Sequence, residues 1–122
     1  MISSNIILTF CVIDSSNSPR MINMNIAVFS SLNDSDYMKN IVKNIFDRYN
    51  SKMMVGSGNL FNLKFKPIHK VLVDDYVVES PLTICNYIAK DILDSWDKVC
   101  KIKITNLSTD PNITYIYNKD EN

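Results

Sequence analysis

The chain has 122 residues, of which 46% are hydrophobic and 21% charged, with 2 Gly and 4 Pro. That balance excludes a disordered, collagen-like or low-complexity polymer and suits one domain spanning 1–122 with a single core. The 13 basic and 13 acidic side chains cancel, so no polycationic surface is expected and neither is a nucleic-acid partner.

Read in chain order, Ile6 to Ile13 alternates, with Ile6, Leu8, Phe10 and Val12 on one side, the period of a strand. The polar cluster Asp14 to Pro19 predicts a loop, and Ile22 to Phe29 a second strand, so the two make a hairpin. Asn33-Asp34-Ser35-Asp36 offers side-chain acceptors for the free amides of a helix start. The helix is expected from Asp36 to Tyr49, with Met38, Ile41, Val42, Ile45, Phe46 and Tyr49 on one stripe.

Both glycines lie in Val55 to Asn59, which reads as a flexible turn; without a following Lys-Ser/Thr it is no P-loop. Phe61, Leu63 and Phe65 alternate as a short strand that Pro67 stops, and Val71 to Val78 reads as another extended stretch. Ser80-Pro81 places a capping hydroxyl before a proline at the first helical position. The second helix runs to about Trp96 and buries Cys85, Ile88, Ala89, Ile92 and Trp96. Lys101 to Thr105 and Ile113 to Tyr117 then form a second hairpin. The expected fold class is α+β: an antiparallel sheet with two helices packed on one face and an extra strand segment between the helices.

The chemistry-bearing residues are sparse. His69 is the only histidine, Asp74-Asp75 reads as a solvated edge or turn, and Cys11, Cys85 and Cys100 sit in apolar runs as small buried hydrophobes. No zinc spacing occurs, and no apolar run approaches the roughly 18 residues of a membrane span. The N-terminal stretch lacks a basic lead-in and a cleavage site, so the expected location is cytoplasmic, with no membrane partner.

Three stretches carry a family likeness. They are D-Y-M-K-N-I-V-K-N-I-F-D-R-Y-N-S-K-M-M (36–54), Y-V-V-E-S-P-L-T-I-C-N-Y-I-A-K-D-I-L (76–93) and K-I-K-I-T-N-L-S-T-D-P-N-I-T-Y-I-Y (101–117). In that order, between terminal hairpins, they resemble the ββααββ tunnelling fold, and within it the 6-pyruvoyl-tetrahydropterin synthase and 6-carboxy-tetrahydropterin synthase family. The likeness covers about half the chain. It implies a homo-oligomer joined through edge strands, a pterin-like small-molecule ligand and a zinc ion.

The departures from the family pattern are specific. The zinc histidines would lie in F-C-V-I-D-S-S and S-P-R-M-I-N-M, which contain none, so no metal or other cofactor is expected. The family's Asp-His proton-transfer pair falls on Asn50 and Ser51, its helix-opening Glu on Leu82 or Asn86, and its acidic pterin anchor on Asn106. The family's catalytic cysteine belongs to a loop, whereas Cys11 lies inside a strand, and the segment Val55 to Leu72 is a long insertion. The resemblance therefore implies a divergent synthase-like protein without zinc-dependent catalysis, retaining a pterin- or purine-type crevice, with Asn106, Thr83 and Asp110 as ligand residues at a subunit boundary.

Other readings stand beside it. One is an active pterin-metabolism lyase, either synthase-like with His69, Asp110 or Glu79 replacing the lost groups, or similar to dihydroneopterin aldolase. Another is a structural or protein-interaction module using exposed strand edges.

Overall fold

Alternating apolar residues and two one-sided helices can hide their apolar faces only against each other, and the computed structural model, which describes residues 1–119, shows that arrangement. The elements are β1 (Ile2–Ile13), β2 (Pro19–Ser30), α1 (Ser35–Tyr49), β3 (Met53–Gly56), β4 (Lys70–Val73), α2 (Pro81–Ser95), β5 (Val99–Asn106) and β6 (Ile113–Asn118). The strands form one six-stranded sheet in the order β4-β3-β1-β2-β5-β6. From β1 the inner face takes Leu8, Phe10 and Val12, and from β2 it takes Ile22, Met24, Ile26 and Val28. Ile102 and Ile104 of β5 complete it, in one core with Met38, Ile41 and Ile45 of α1 and Ile84, Ile88 and Ile92 of α2. Each such side chain contributes about 1.5–3 kcal/mol by leaving water.

Both helix starts follow their sequence signals. Asp34 accepts the Tyr37 amide at 3.0 Å, and Ser80 and Thr83 form a reciprocal capping box ahead of Pro81. On the outer side the helices are clasped together: Arg48 Nη1 donates to both Asp91 oxygens at 2.9 and 2.7 Å, and the Tyr49 hydroxyl donates to Asp91 Oδ2. The Arg48 guanidinium also lies 5.1 Å from the centre of the Trp96 ring.

The sheet corrects the purely antiparallel expectation. β1, β2, β5 and β6 pair antiparallel in succession, but β3 and β4 run parallel to β1 on its other side. The cause lies in α1, whose 15 residues carry the chain about 22 Å along the sheet. Asn50 and Ser51 then attach it to Thr9: Asn50 Oδ1 accepts the Thr9 amide at 3.0 Å and Ser51 N donates to Thr9 O at 2.8 Å. The chain is by then well up the edge of β1 and heading the same way, so only a short parallel pairing, Cys11–Ile13 with Met53–Val55, remains open to it.

Two further expectations change. Phe61, Leu63 and Phe65 form no strand: Leu60–Asn62 is a single 3₁₀ turn, and Phe61 and Phe65 are exposed with no strand beside them. Pairing needs a neighbour, and β3, which does have one, runs into the Val55 to Asn59 stretch expected to be a flexible turn. The extended stretch expected over Val71 to Val78 is a strand only to Val73; Asp75–Glu79 is 3₁₀, turning Val77 and Val78 into the core.

Candidate functional site

The face of the sheet away from the helices carries Ile7, Thr9 and Cys11 from β1, Met21, Asn23 and Asn25 from β2, Lys101, Lys103 and Thr105 from β5, and Thr114 and Ile116 from β6, as strand alternation requires. At the β3 end of this face is a shallow crevice of about 360 Å³, bordered by Cys11, Ser51, Lys52, Phe65, Lys66 and His69. Three elements converge there. β1 supplies Cys11, the turn after α1 supplies Ser51 and Lys52, and the long connection from β3 to β4 supplies Phe65 through His69. The backbone fixes their spacing, with Cys11 N donating to Lys52 O at 3.0 Å and Met53 N to His69 O at 2.9 Å.

The crevice offers a thiol, a hydroxyl, an imidazole and two ammonium groups beside one aromatic ring. Such a lining suits a flat polar ring that presents acceptors or a negative charge. Burial pushes the Cys11 thiol above its ordinary value, so it is a weak nucleophile. The Asn50 oxygen is taken by the Thr9 amide, and neither it nor the Ser51 hydroxyl titrates in the range where a general acid or base works.

The donors present do not suit the zinc ion that the family likeness implies. At the end of β1 and the start of β2 the open face carries Cys11, Met21 and Asn23, and the Asn23 oxygen already accepts the Thr9 hydroxyl at 2.7 Å. Among the described residues no three His, Cys, Asp or Glu side chains are placed to share a metal.

The residues singled out from sequence are scattered. Asn106 is buried at the end of β5, where its Oδ1 accepts the Ser108 amide at 2.9 Å and shapes the turn toward β6. Asp110 is exposed in that same turn. Thr83 belongs to the α2 cap, its hydroxyl donating to Val77 O at 2.8 Å. Asn86 accepts the Tyr117 hydroxyl at 2.6 Å, which fastens β6 to α2. His69 lies in the crevice and Glu79 lines a different cavity, so His69, Asp110 and Glu79 do not come together as one catalytic set.

That second cavity, of about 290 Å³, lies past the carboxyl ends of β1, β3 and β4, with Ser15, Asn59, Asp75 and Glu79 on its walls. Asp75 is held against Gly56 and Gly58, and Gly58 N donates to its Oδ1 at 3.0 Å. The glycine turn thus packs against one of the chain's own carboxylates. Sequence reading missed the meeting of Ser51, Lys52 and Cys11 because it depends on the parallel β1–β3 register, which has no local signal.

The fold and crevice define a two-layer α+β domain whose six-stranded mixed sheet presents a small polar crevice on its open face. No protein-family model and no curated protein matches the chain. No helix among the described residues is long and apolar enough to cross a membrane.

Proposed function

We propose that this chain is a divergent tetrahydropterin-synthase-like subunit of the tunnelling-fold type. In this reading it assembles with copies of itself, takes a pterin- or purine-shaped ring at the crevice beside Cys11, Ser51 and His69, and does not carry out the family's zinc-dependent reaction. The observation that supports it most is the succession β1-β2-β5-β6, antiparallel throughout, with both helices inserted between β2 and β5. β3 and β4 are then the extra segment between the helices.

The two outer edges of that four-stranded unit favour self-assembly. Thr9 and Cys11 direct their backbone groups away from β2, so alternation turns those of Ser3, Asn5 and Ile7 the same way. β3 pairs only with Cys11–Ile13, which leaves that part of the edge open among the described residues. On β6, Lys119 N bonds to Cys100 O, so Thr114, Ile116 and Asn118 present their backbone groups outward. Three outward-facing residues on one edge meet three on the other, the arrangement in which a second copy completes the ladder.

Native mass spectrometry on the wild type and on Ile116→Pro tests this. The proline removes an outward amide and no internal ladder bond. A ring oligomer that Ile116→Pro breaks into folded monomers is expected, with quenching of a fluorescent pterin by the assembled form and less than one zinc per subunit. A monomeric wild type overturns the assembly reading, and stoichiometric zinc with lyase turnover favours the active-enzyme alternative.

A further inference from the structure

The connection between β3 and β4 has a character of its own. From Ser51 to Val73 the chain carries four of its 13 basic residues, Lys52, Lys64, Lys66 and Lys70, together with its one histidine and none of its 13 acids. The rest of the molecule is correspondingly acidic. The same segment holds the most exposed large apolar side chains past the N-terminus: Phe61 is 89% and Ile68 86% exposed, with Phe65 half exposed between them. Between the loop side chains lies an apolar cavity of about 310 Å³, walled by Leu60, Leu63, Phe65 and Pro67, with Lys66 and Lys70 at it.

We infer that this loop is a docking surface for an anionic lipid bilayer, with Phe61 and Ile68 entering the interface and the lysines lying among the headgroups. Apolar tips beside ammonium groups, Lys66 and Lys70 next to Phe61 and Lys52 and Lys66 next to Ile68, match the two layers of such a surface, an acyl region beneath negative headgroups. The kind of cation separates this partner from the others. Every cation in the segment's four positions is lysine, whereas the two arginines are occupied elsewhere, Arg20 with Asp14 and Arg48 with Asp91. Protein interfaces and nucleic-acid sites favour arginine, whose planar fork needs a fixed partner geometry, and protein interfaces are depleted in lysine. Lysine suffices against a fluid surface of negative charge. An aliphatic tip such as Ile68 also has no ring on which a base could stack. No helix has to span the bilayer, so the absence of a long apolar run in the sequence does not bear on this contact.

The test is co-sedimentation of the full chain with vesicles of phosphatidylcholine alone and with about 30 mol% phosphatidylserine, at about 0.1 M and about 0.5 M salt. At the lower salt, binding to the anionic vesicles should exceed binding to the neutral ones at least tenfold, and at the higher salt most of it should be lost. Lys64→Gln/Lys70→Gln should weaken it by about 30-fold, at roughly fivefold per lysine. Phe61→Ser/Ile68→Ser should weaken it more than tenfold with an unchanged melting curve, because both side chains are exposed. Equal binding to neutral vesicles overturns the inference, as does unchanged binding by the serine variant. So does tighter binding to single-stranded RNA or to poly-glutamate than to the anionic vesicles. If the serine variant instead dissociates a native oligomer that does not bind vesicles, the loop is a subunit contact and the inference fails, while the proposed assembly stands.

Discussion

Gly56 and Gly58 both have negative φ, so neither is there for conformations that only glycine adopts easily. Their common feature is what a Cβ would meet. At Gly58 it would fall 2.4 Å from Asp75 Oδ2, and its next two neighbours are also side-chain atoms of Asp75. At Gly56 it would fall 2.2 Å from Asp75 Oδ1 and also 2.9 Å from the Asp75 Cα, which cannot swing aside. The two alanine substitutions should therefore respond differently to removal of the carboxylate. In the wild type Gly58→Ala should cost about 1–3 kcal/mol of stability, the usual range for a forced overlap. In an Asp75→Ala background the overlap disappears and alanine narrows the unfolded ensemble, so Gly58→Ala should stabilise by about 0.4–1 kcal/mol. Gly56→Ala should remain destabilising by at least about 1 kcal/mol in both backgrounds, because the backbone contact persists. Asp75→Ala alone loses the charged hydrogen bond from Gly58 N, about 1.5–3 kcal/mol. Urea unfolding of the double-mutant cycle reads all of these. A Gly58→Ala penalty of equal size in the two backgrounds, or a neutral Gly56→Ala, would refute the packing argument.

Three other outcomes follow from side-chain geometry. Tyr49→Phe leaves Asp91 with Arg48 but without the buried hydroxyl, and should lower stability by about 1.5 kcal/mol in urea unfolding; an unchanged midpoint would mean the clasp contributes nothing there. Burial pushes the Cys85 thiol up to about 11, so at pH 8 iodoacetamide should reach Cys85 only as fast as the whole chain unfolds, and peptide mapping that finds it alkylated as quickly as a free thiol would contradict its place in the core. The Ser16 hydroxyl, 2.5 Å away, is the main reason the Asp14 carboxyl titrates below its ordinary 3.8, with Arg20 contributing. A lowered folded value means stability that is present above the ordinary value and lost as pH falls through the folded one. Asp14→Asn should therefore flatten the acid limb of a stability-versus-pH curve, and parallel limbs would exclude the contribution.

Both helices and both terminal hairpins were legible in the sequence, since each rests on local chemistry: alternation, a three-and-four stripe, the Asp34 cap, and the Ser80-Pro81 start with its Thr83 partner. Of the middle of the chain, only the strand over 71–73 was legible. Phe61, Leu63 and Phe65 alternate as a strand does, and still no strand pairs with them, because a period of two reports which side a residue faces and says nothing of whether an edge is within reach. The candidate crevice was hidden for the same reason. Cys11, Ser51 and His69 are remote in the chain and meet only through the pairing of β1 with β3 and of β3 with β4. Asn106 and Thr83, singled out as ligand residues, hold a turn and a helix cap, the local roles that short polar side chains most often fill.

The order of residues alone therefore settles the two helices, the two terminal hairpins and which of their faces turn inward, because hydrogen-bond caps and apolar periods act over a few neighbours. The direction of β3, the seat of Asp75 between two glycines and the company kept by Cys11 depend on where α1 delivers the chain after about 22 Å. That is a matter of packing across the sheet, and no short stretch of sequence records it.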